Sequence, residues 1–169
     1  MPKTDATSWV FANCKHGITH VINQIRRFPE VQSVTPVTGR FDLVIKLRTN
    51  NPPKAFSTVE KIRGIHGITS TQTAISVQKV TNGNRHETEP PLGFTLLKVR
   101  GRFQNVLRRL KTFPNFVEAH VIRGEFDVLA SFRGYSPEEL AETAVEKLNS
   151  INGVTACETL VAWTPTTPF

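Results

Sequence analysis

The sequence of 169 residues predicts an α+β protein made of two β-α-β-β-α-β units in tandem. Three observations predict it. The octet Val37-Thr38-Gly39-Arg40-Phe41-Asp42-Leu43-Val44 returns as Ile122-Arg123-Gly124-Glu125-Phe126-Asp127-Val128-Leu129. An apolar stripe at helical spacing, Ile18, Val21, Ile22, Ile25 and Phe28, returns 85 positions later as Phe103, Val106, Leu107, Leu110 and Phe113. Each stripe stops at a Phe-Pro pair, Phe28-Pro29 and Phe113-Pro114. Self-similarity of this kind marks a copied structural unit, and the length allows two small domains, each with its own core.

The elements follow in order. Trp9 to Cys14 reads as a first strand with large apolar residues at Trp9 and Phe11, answered by Phe94 and Leu96. Gly17 to Phe28 and its counterpart read as amphipathic helices with one face on a core. Proline ends them, because it lacks the ladder donor and pushes the preceding residue out of helical geometry. Second strands, Val31 to Val37 and Phe116 to Ile122, lead into turns at Gly39 and Gly124. Glycine tolerates the positive φ that tight turns often need. In the third strands Phe41, Leu43, Ile45 and Leu47 share a face, matched by Phe126, Val128, Ala130 and Phe132. The opposite faces, Asp42-Val44-Lys46 and Asp127-Leu129-Ser131, are mixed.

Second helices open at Asn51-Pro52-Pro53, with Phe56, Val59 and Ile62 as the apolar stripe, and at Ser136-Pro137-Glu138-Glu139, a capping box. They close in turns at Ile65-His66-Gly67 and Ile151-Asn152-Gly153. The offset there is 86, which places one extra residue in the preceding loop or helix start. Fourth strands run from Ser70 to Val77 and from Ala156 to Trp163. Right-handed crossovers turn this order into a four-stranded antiparallel sheet with both helices on one face, the ferredoxin-like arrangement. The uncovered faces, with Val44 and Leu129, call for a partner. The expected outcome is two sheets paired face to face, as in a dimeric α/β barrel. Domain limits follow as residues 1–80 and 93–164, with a linker at 81–92 and a tail at 165–169.

No apolar run is long enough to span a bilayer, and the N-terminus Met1-Pro2-Lys3-Thr4-Asp5 has no signal-peptide core. Cys14 and Cys157 do not form a repeated pair, so a cytoplasmic protein with reduced thiols is expected. The net charge of +7 sits in the first half: residues 1–84 hold 11 Lys+Arg against 4 Asp+Glu, residues 85–169 hold 10 against 10. That asymmetry raises an alternative, nonspecific nucleic-acid binding through Arg26, Arg27, Lys54, Lys61 and Arg63. The aromatic pattern of RNA-recognition motifs is not met, since Phe41 is followed by Asp42 and aliphatic residues. An enzyme is disfavoured: there is no nucleophile elbow, no repeated His and no Cys-His pairing across the copies. Cys14-x-His16-x-x-x-His20 has spacing that could gather a soft metal ion. The second copy carries Val99, Gly101 and Asn105 there, so solvent-facing His and a buried thiol are preferred, with no metal and no cofactor.

Gly39-Arg40-Phe41-Asp42 with Thr71-Gln72-Thr73, and Gly124-Glu125-Phe126-Asp127 with Cys157-Glu158-Thr159, resemble the regulation-of-amino-acid-metabolism domain. This is the effector-binding and assembly half of the Lrp/AsnC transcription regulators. The resemblance covers nearly all the chain, as two copies. It implies a non-enzymatic module that forms oligomers through its sheets and binds a small effector, an amino acid, near the Gly-x-Phe-Asp loops. A zwitterion needs an anion for its ammonium, which Asp42 or Asp127 would supply, and N–H donors for its carboxylate, which backbone near Gly39 or Gly124 would supply. Thr71, Thr73 and Thr159 would add hydroxyls, while Cys157 in place of the first Thr puts that contact in doubt in the second copy. A plainer reading leaves Gly to make the turn, Phe to fill core and Asp to accept the turn's own amides. The eight residues before the first strand leave no room for a helix-turn-helix, so action on transcription is expected to need a DNA-binding partner.

Overall fold

Twelve elements are found in the residues that the computed structural model describes, 6–81, 92–133 and 136–164. They are β1 (Ala6–Cys14), α1 (Ile18–Ile25), β2 (Val31–Thr38), β3 (Leu43–Thr49), α2 (Pro52–Arg63) and β4 (Ile68–Thr81). The order then repeats as β5 (Gly93–Val99), α3 (Phe103–Leu110), β6 (Phe116–Arg123), β7 (Val128–Phe132), α4 (Pro137–Glu142) and β8 (Val154–Ala162). α4 runs on as a π-helix over Thr143–Leu148. The expected tail, the expected linker apart from Thr81 and Leu92, and His86 lie outside the described residues. Residues 1–75 with 163–169 form one compact unit and residues 76–162 another, so β4 belongs to the first unit only as far as Ile75.

In the first unit the sheet order is β4-β1-β3-β2, every pair antiparallel. One face of that sheet packs on both helices: Val10, Leu43 and Ile45 meet Ile22, Ile25 and Ile62. In the second unit the order is β8-β5-β7-β6, and Leu97, Val128 and Phe132 meet Leu107, Leu110 and Leu148. Both units are therefore ferredoxin-like. Fully burying one such side chain stabilises by about 1.5–3 kcal/mol, so the repeated stripes account for much of each core.

The helix ends follow local chemistry. α1 and α3 stop three residues before the Phe that precedes proline, and Phe28 and Phe113 donate to carbonyls three back, at Ile25 and Leu110. That tightened turn releases the chain before Pro29 and Pro114 can clash with it. α2 and α4 start at caps, Asn51 Oδ1 accepting from Lys54 N at 2.8 Å and Ser136 Oγ from Glu139 N at 3.2 Å.

Three expectations need correction. Phe41 and Phe126 do not continue the strand stripe: both precede their strands, and Phe41 packs its ring 5.2 Å from Phe11, on the side of β1 away from Val10 and Ala12. Phe56 is 70% exposed, because the buried stripe of α2 runs through Thr58, Val59 and Ile62 and leaves it at the edge. The faces expected to call for a partner are covered, as anticipated: Val44, Lys46, Leu129 and Ser131 are all buried. Lys46 is tolerated there with its ammonium 5.4 Å from the ring of Trp9, its register partner on β1.

The extra residue is the third. Thr58 Oγ1 donates to Lys54 O and Thr143 Oγ1 to Glu139 O, both at 2.9 Å and still 85 positions apart. Ile62 and Leu148, each fully buried and each accepting from the Ile three residues on, are 86 apart. The insertion therefore lies inside the helix, in the π segment, where one wider turn absorbs it and keeps Leu148 facing the core. Deleting exposed Glu146 should restore an ordinary α-helix with the second unit still folded. Thermal melting by circular dichroism should stay cooperative, with the midpoint moved by no more than about 5 °C; loss of a cooperative transition would contradict the assignment.

Candidate functional site

The repeated hairpin turn is built on the end of the first strand in each unit. The β1–β3 ladder ends at the pair Ala12↔Leu43, and β1 then shifts register against β4 at Asn13/Cys14. Cys14 N has run past its last backbone partner on β3, and Asp42 supplies one. Its Oδ2 accepts from Cys14 N at 3.0 Å, while Asp42 N donates to Ala12 O at 3.0 Å and Asp42 O accepts from Val37 N at 2.9 Å. The aspartate thereby extends the sheet by one rung made of its own side chain.

The second unit repeats this bond for bond. Asp127 Oδ2 accepts from Val99 N at 2.8 Å, Asp127 N donates to Leu97 O and its carbonyl accepts from Ile122 N, both at 2.9 Å. The β5 register shift again falls beside it, at Lys98/Val99. Each carboxylate is thus engaged by a backbone amide 28 residues away, on the neighbouring strand and not in its own turn.

Around this lock the other expected residues take different positions. Gly39 has φ 135°, a conformation that strains any side chain, whereas Gly124 is not among the glycines of positive φ. Arg40 is exposed and lays its guanidinium 4.8 Å from the centre of the Phe41 ring, and Lys98 holds the same place over Phe126 at 5.6 Å. Phe41 and Phe126 are buried, and Glu125 is exposed beside Gly124. Thr71 lies opposite Ala12, whose carbonyl takes the Asp42 amide, and exposed Thr73 lies opposite Val10. Cys157 stands opposite Leu97 and Thr159 opposite Thr95, so the register puts Cys157 in the place of Thr71 and Thr159 in that of Thr73. The turn and Thr71 in the first copy, or Cys157 in the second, are therefore joined through one rung of the sheet, and Thr73 or Thr159 sits two residues further along.

Burial pushes the Cys157 thiol up to about 11, with Glu158 adding to the rise and a hydrogen bond from Thr159 opposing it. Cys14 is raised as well, by burial and by the charge of Asp42. Both cysteines are free. His16 and His66 bring their rings to 6.2 Å, but no three His, Cys, Asp or Glu among the described residues gather in reach of one metal ion. Of the cations expected on nucleic acid, Lys54 pairs with Glu30 at 3.7 Å and Arg63 with Glu60 at 3.3 Å.

Three features escaped the sequence. His120 is held between Ser76 Oγ at 2.7 Å from Nδ1 and Glu118 Oε1 at 2.5 Å from Nε2. Ser-His-carboxylate is the order of a hydrolase relay, yet Glu118 and His120 are 4% and 1% exposed and closed to a substrate. The others are cavities: one of about 390 Å³ in the first unit, between the start of β2 and the start of α2, and one of about 480 Å³ in the second, at the start of α3. Only the pairing of strands brings Ser76 to His120, so no spacing could have announced that contact.

The family model of the Lrp/AsnC ligand binding domain matches residues 10–85 and again residues 93–165. An uncharacterized HTH-type transcriptional regulator of Pyrococcus furiosus is 32% identical over 60 residues, 36% of this chain and 40% of that protein. A homocitrate synthase of Sulfurisphaera tokodaii is 24% identical over 81 residues, 47% of this chain and 18% of the synthase. The chain thus spans less than half the length of either relative. The crystal structure of the siroheme decarboxylase NirDL covers 94% of this chain and 71% of its own, with a TM-score of 0.67 and 10% identity, a likeness of fold alone. Among the described residues no helix is long and apolar enough to cross a membrane.

Two outcomes follow from the geometry. Asp42→Ala strips the partner from Cys14 N and should cost about 1–3 kcal/mol in denaturant unfolding, while Asp42→Asn, which keeps an acceptor oxygen, should cost less; equal losses would contradict the rung. At pH 8 iodoacetamide should alkylate Cys14 well before Cys157, read by mass spectrometry of the folded chain. A thiol raised in the folded state stabilises below the ordinary value of 9.0, and that contribution is lost as pH climbs through about 11. Faster alkylation of Cys157 than of Cys14 would contradict this.

Proposed function

Since the chain belongs to the Lrp/AsnC ligand-binding domain family in two copies, we propose that it is a regulatory module that binds an amino-acid effector at its hairpin turns. The module itself is non-enzymatic. The observation that carries the reading is the rung made by Asp42 and again by Asp127, which fixes the same turn in the same way twice. A turn so held presents its backbone without further ordering, which lowers the entropic cost of binding. Each carboxylate uses Oδ2 on the sheet, and Oδ1 is the oxygen we assign to the effector's ammonium. Arg40, the backbone at Gly39, Thr71 and Thr73 complete the first site, with Phe41 as its floor. Gly124, Glu125, Phe126, Asp127 and Thr159 make the second. Glu125 in place of Arg40 and Cys157 in place of Thr71 give the second copy a less favourable environment for a ligand carboxylate, so the first copy is the stronger binder.

The effector acts by biasing assembly: copies of the chain associate in the cytoplasm, and the ligand favours the association state that binds it better. A separate protein supplies the output, a DNA-binding regulator being the partner proposed. The curated relatives support such a division, since the matched stretch is a minor part of both a transcriptional regulator and a synthase.

A thermal-shift screen of the full chain against the amino acids, read together with mass in solution, tests this. One or a few should raise the melting point, a ligand at 100 times its Kd adding about 2.7 kcal/mol, and should change the mass. Arg40→Ala and Thr73→Val, both at exposed positions, should abolish the shift without lowering the unliganded melting point. A folded chain that no amino acid stabilises would refute the proposal.

A further inference from the structure

Residues 85–169 carry no net charge, yet their arginines are not evenly spread. Arg100, Arg102 and Arg108 line the cavity of about 480 Å³ together with Asn105, Asn152 and Gly153. No carboxylate lines it, and these three guanidinium groups make no ion pair among the described residues. Three unpaired cations around one hollow repel each other, and a bound anion is the usual remedy.

Local structure builds the hollow. Gly153 has φ 102° and its carbonyl accepts from Arg100 N at 2.7 Å, and a Cβ there would stand 3.1 Å from Arg100 O, so only glycine lets the two loops close on each other. Gln104, a further wall residue, is tied down by Gln78 at 3.2 Å. α3 begins at the cavity with Arg102 as its N-cap, with no capping side chain and no acidic residue in its first turn. α2 and α4, by contrast, are capped by Asn51 and Ser136. The first amides of α3 and its positive dipole end are left to face whatever binds there.

We infer that this corner is a binding site for a small ligand carrying a phosphate or pyrophosphate group. Guanidinium groups match phosphate oxygens in pairs, the side-chain amides can contact the rest of the molecule, and the volume suits a compact metabolite. Three arginines gathered around one hollow favour a small molecule over a polymer, which needs a stripe of cations along its backbone. The corresponding corner of the first unit carries Lys15, Gly17, His20, Asn23 and His66, with one fixed cation where the second has three. The site thus belongs to the second copy alone and is separate from both hairpin turns.

Titration calorimetry of the full chain with inorganic pyrophosphate at constant ionic strength tests it. Saturable binding of one pyrophosphate per chain is expected. Arg102→Gln and Arg108→Gln should each weaken it about tenfold or more, and both change exposed side chains, so the melting point should hold. Arg26→Gln with Arg27→Gln, exposed on the other unit, removes twice the charge of either variant and should leave binding unchanged. Absence of saturable binding would overturn the inference. So would equal weakening by the control pair, or binding of single-stranded DNA that pyrophosphate does not displace.

Discussion

A carboxylate that finishes a β-sheet is the constraint on which the rest of this molecule depends. At the end of β1 the chain must leave the sheet to begin α1, and its amides run past the last residue of β3 able to accept them. An unsatisfied amide in that half-buried place would cost more than most single contacts contribute. Asp42 meets it from the turn before β3, and Asp127 does the same before β7. The bond joins the start of one connection to the close of another, so turn, strand end and helix entry are set together. This explains why the Asp stands immediately before the strand in both octets: one position earlier or later would point the carboxylate away from Cys14 or Val99.

Duplication left the two copies equal in frame and unequal in detail. The frame is kept where burial demands it, as in the stripes of α1 and α3. Differences gather where solvent tolerates them. The π turn of α4 shows how a helix takes one more residue without turning Leu148 out of the core. At the surface the second copy has three arginines and two asparagines around the start of α3 where the first has Lys15, Gly17, Asn23 and two histidines. In the hairpin it exchanged Arg40 for Glu125. Two copies under one set of packing rules thus present different side chains at the same turn and at the same helix start.

Most of the fold was legible because each copy checks the other. A stripe at Ile18, Val21, Ile22 and Ile25 alone suggests a helix, and its return at the same offset removes the ambiguity. Failures occurred where periodicity carries no information. Phe41 and Phe126 alternate with the strand residues that follow, but a turn breaks the pleat before them, and Phe41 packs on Phe11 instead. Phe56 has helical spacing to Val59 yet lies at the rim of the stripe, where small rotations decide burial. The carboxylates were placed in the site, but their partners were not, since a backbone amide 28 residues away leaves no mark in composition or spacing. The same holds for His120, whose partner Ser76 is 44 residues distant.

The central claim is that these aspartates hold both turns closed before any ligand arrives. Amide hydrogen exchange, followed residue by residue by NMR on the unliganded chain, addresses it directly. Slow exchange is predicted for the amides of Cys14 and Val99, with Asp42→Ala speeding the first and leaving the second unchanged. If both amides exchange at the rate of free peptide in the native chain, the rungs do not exist in solution and the account fails.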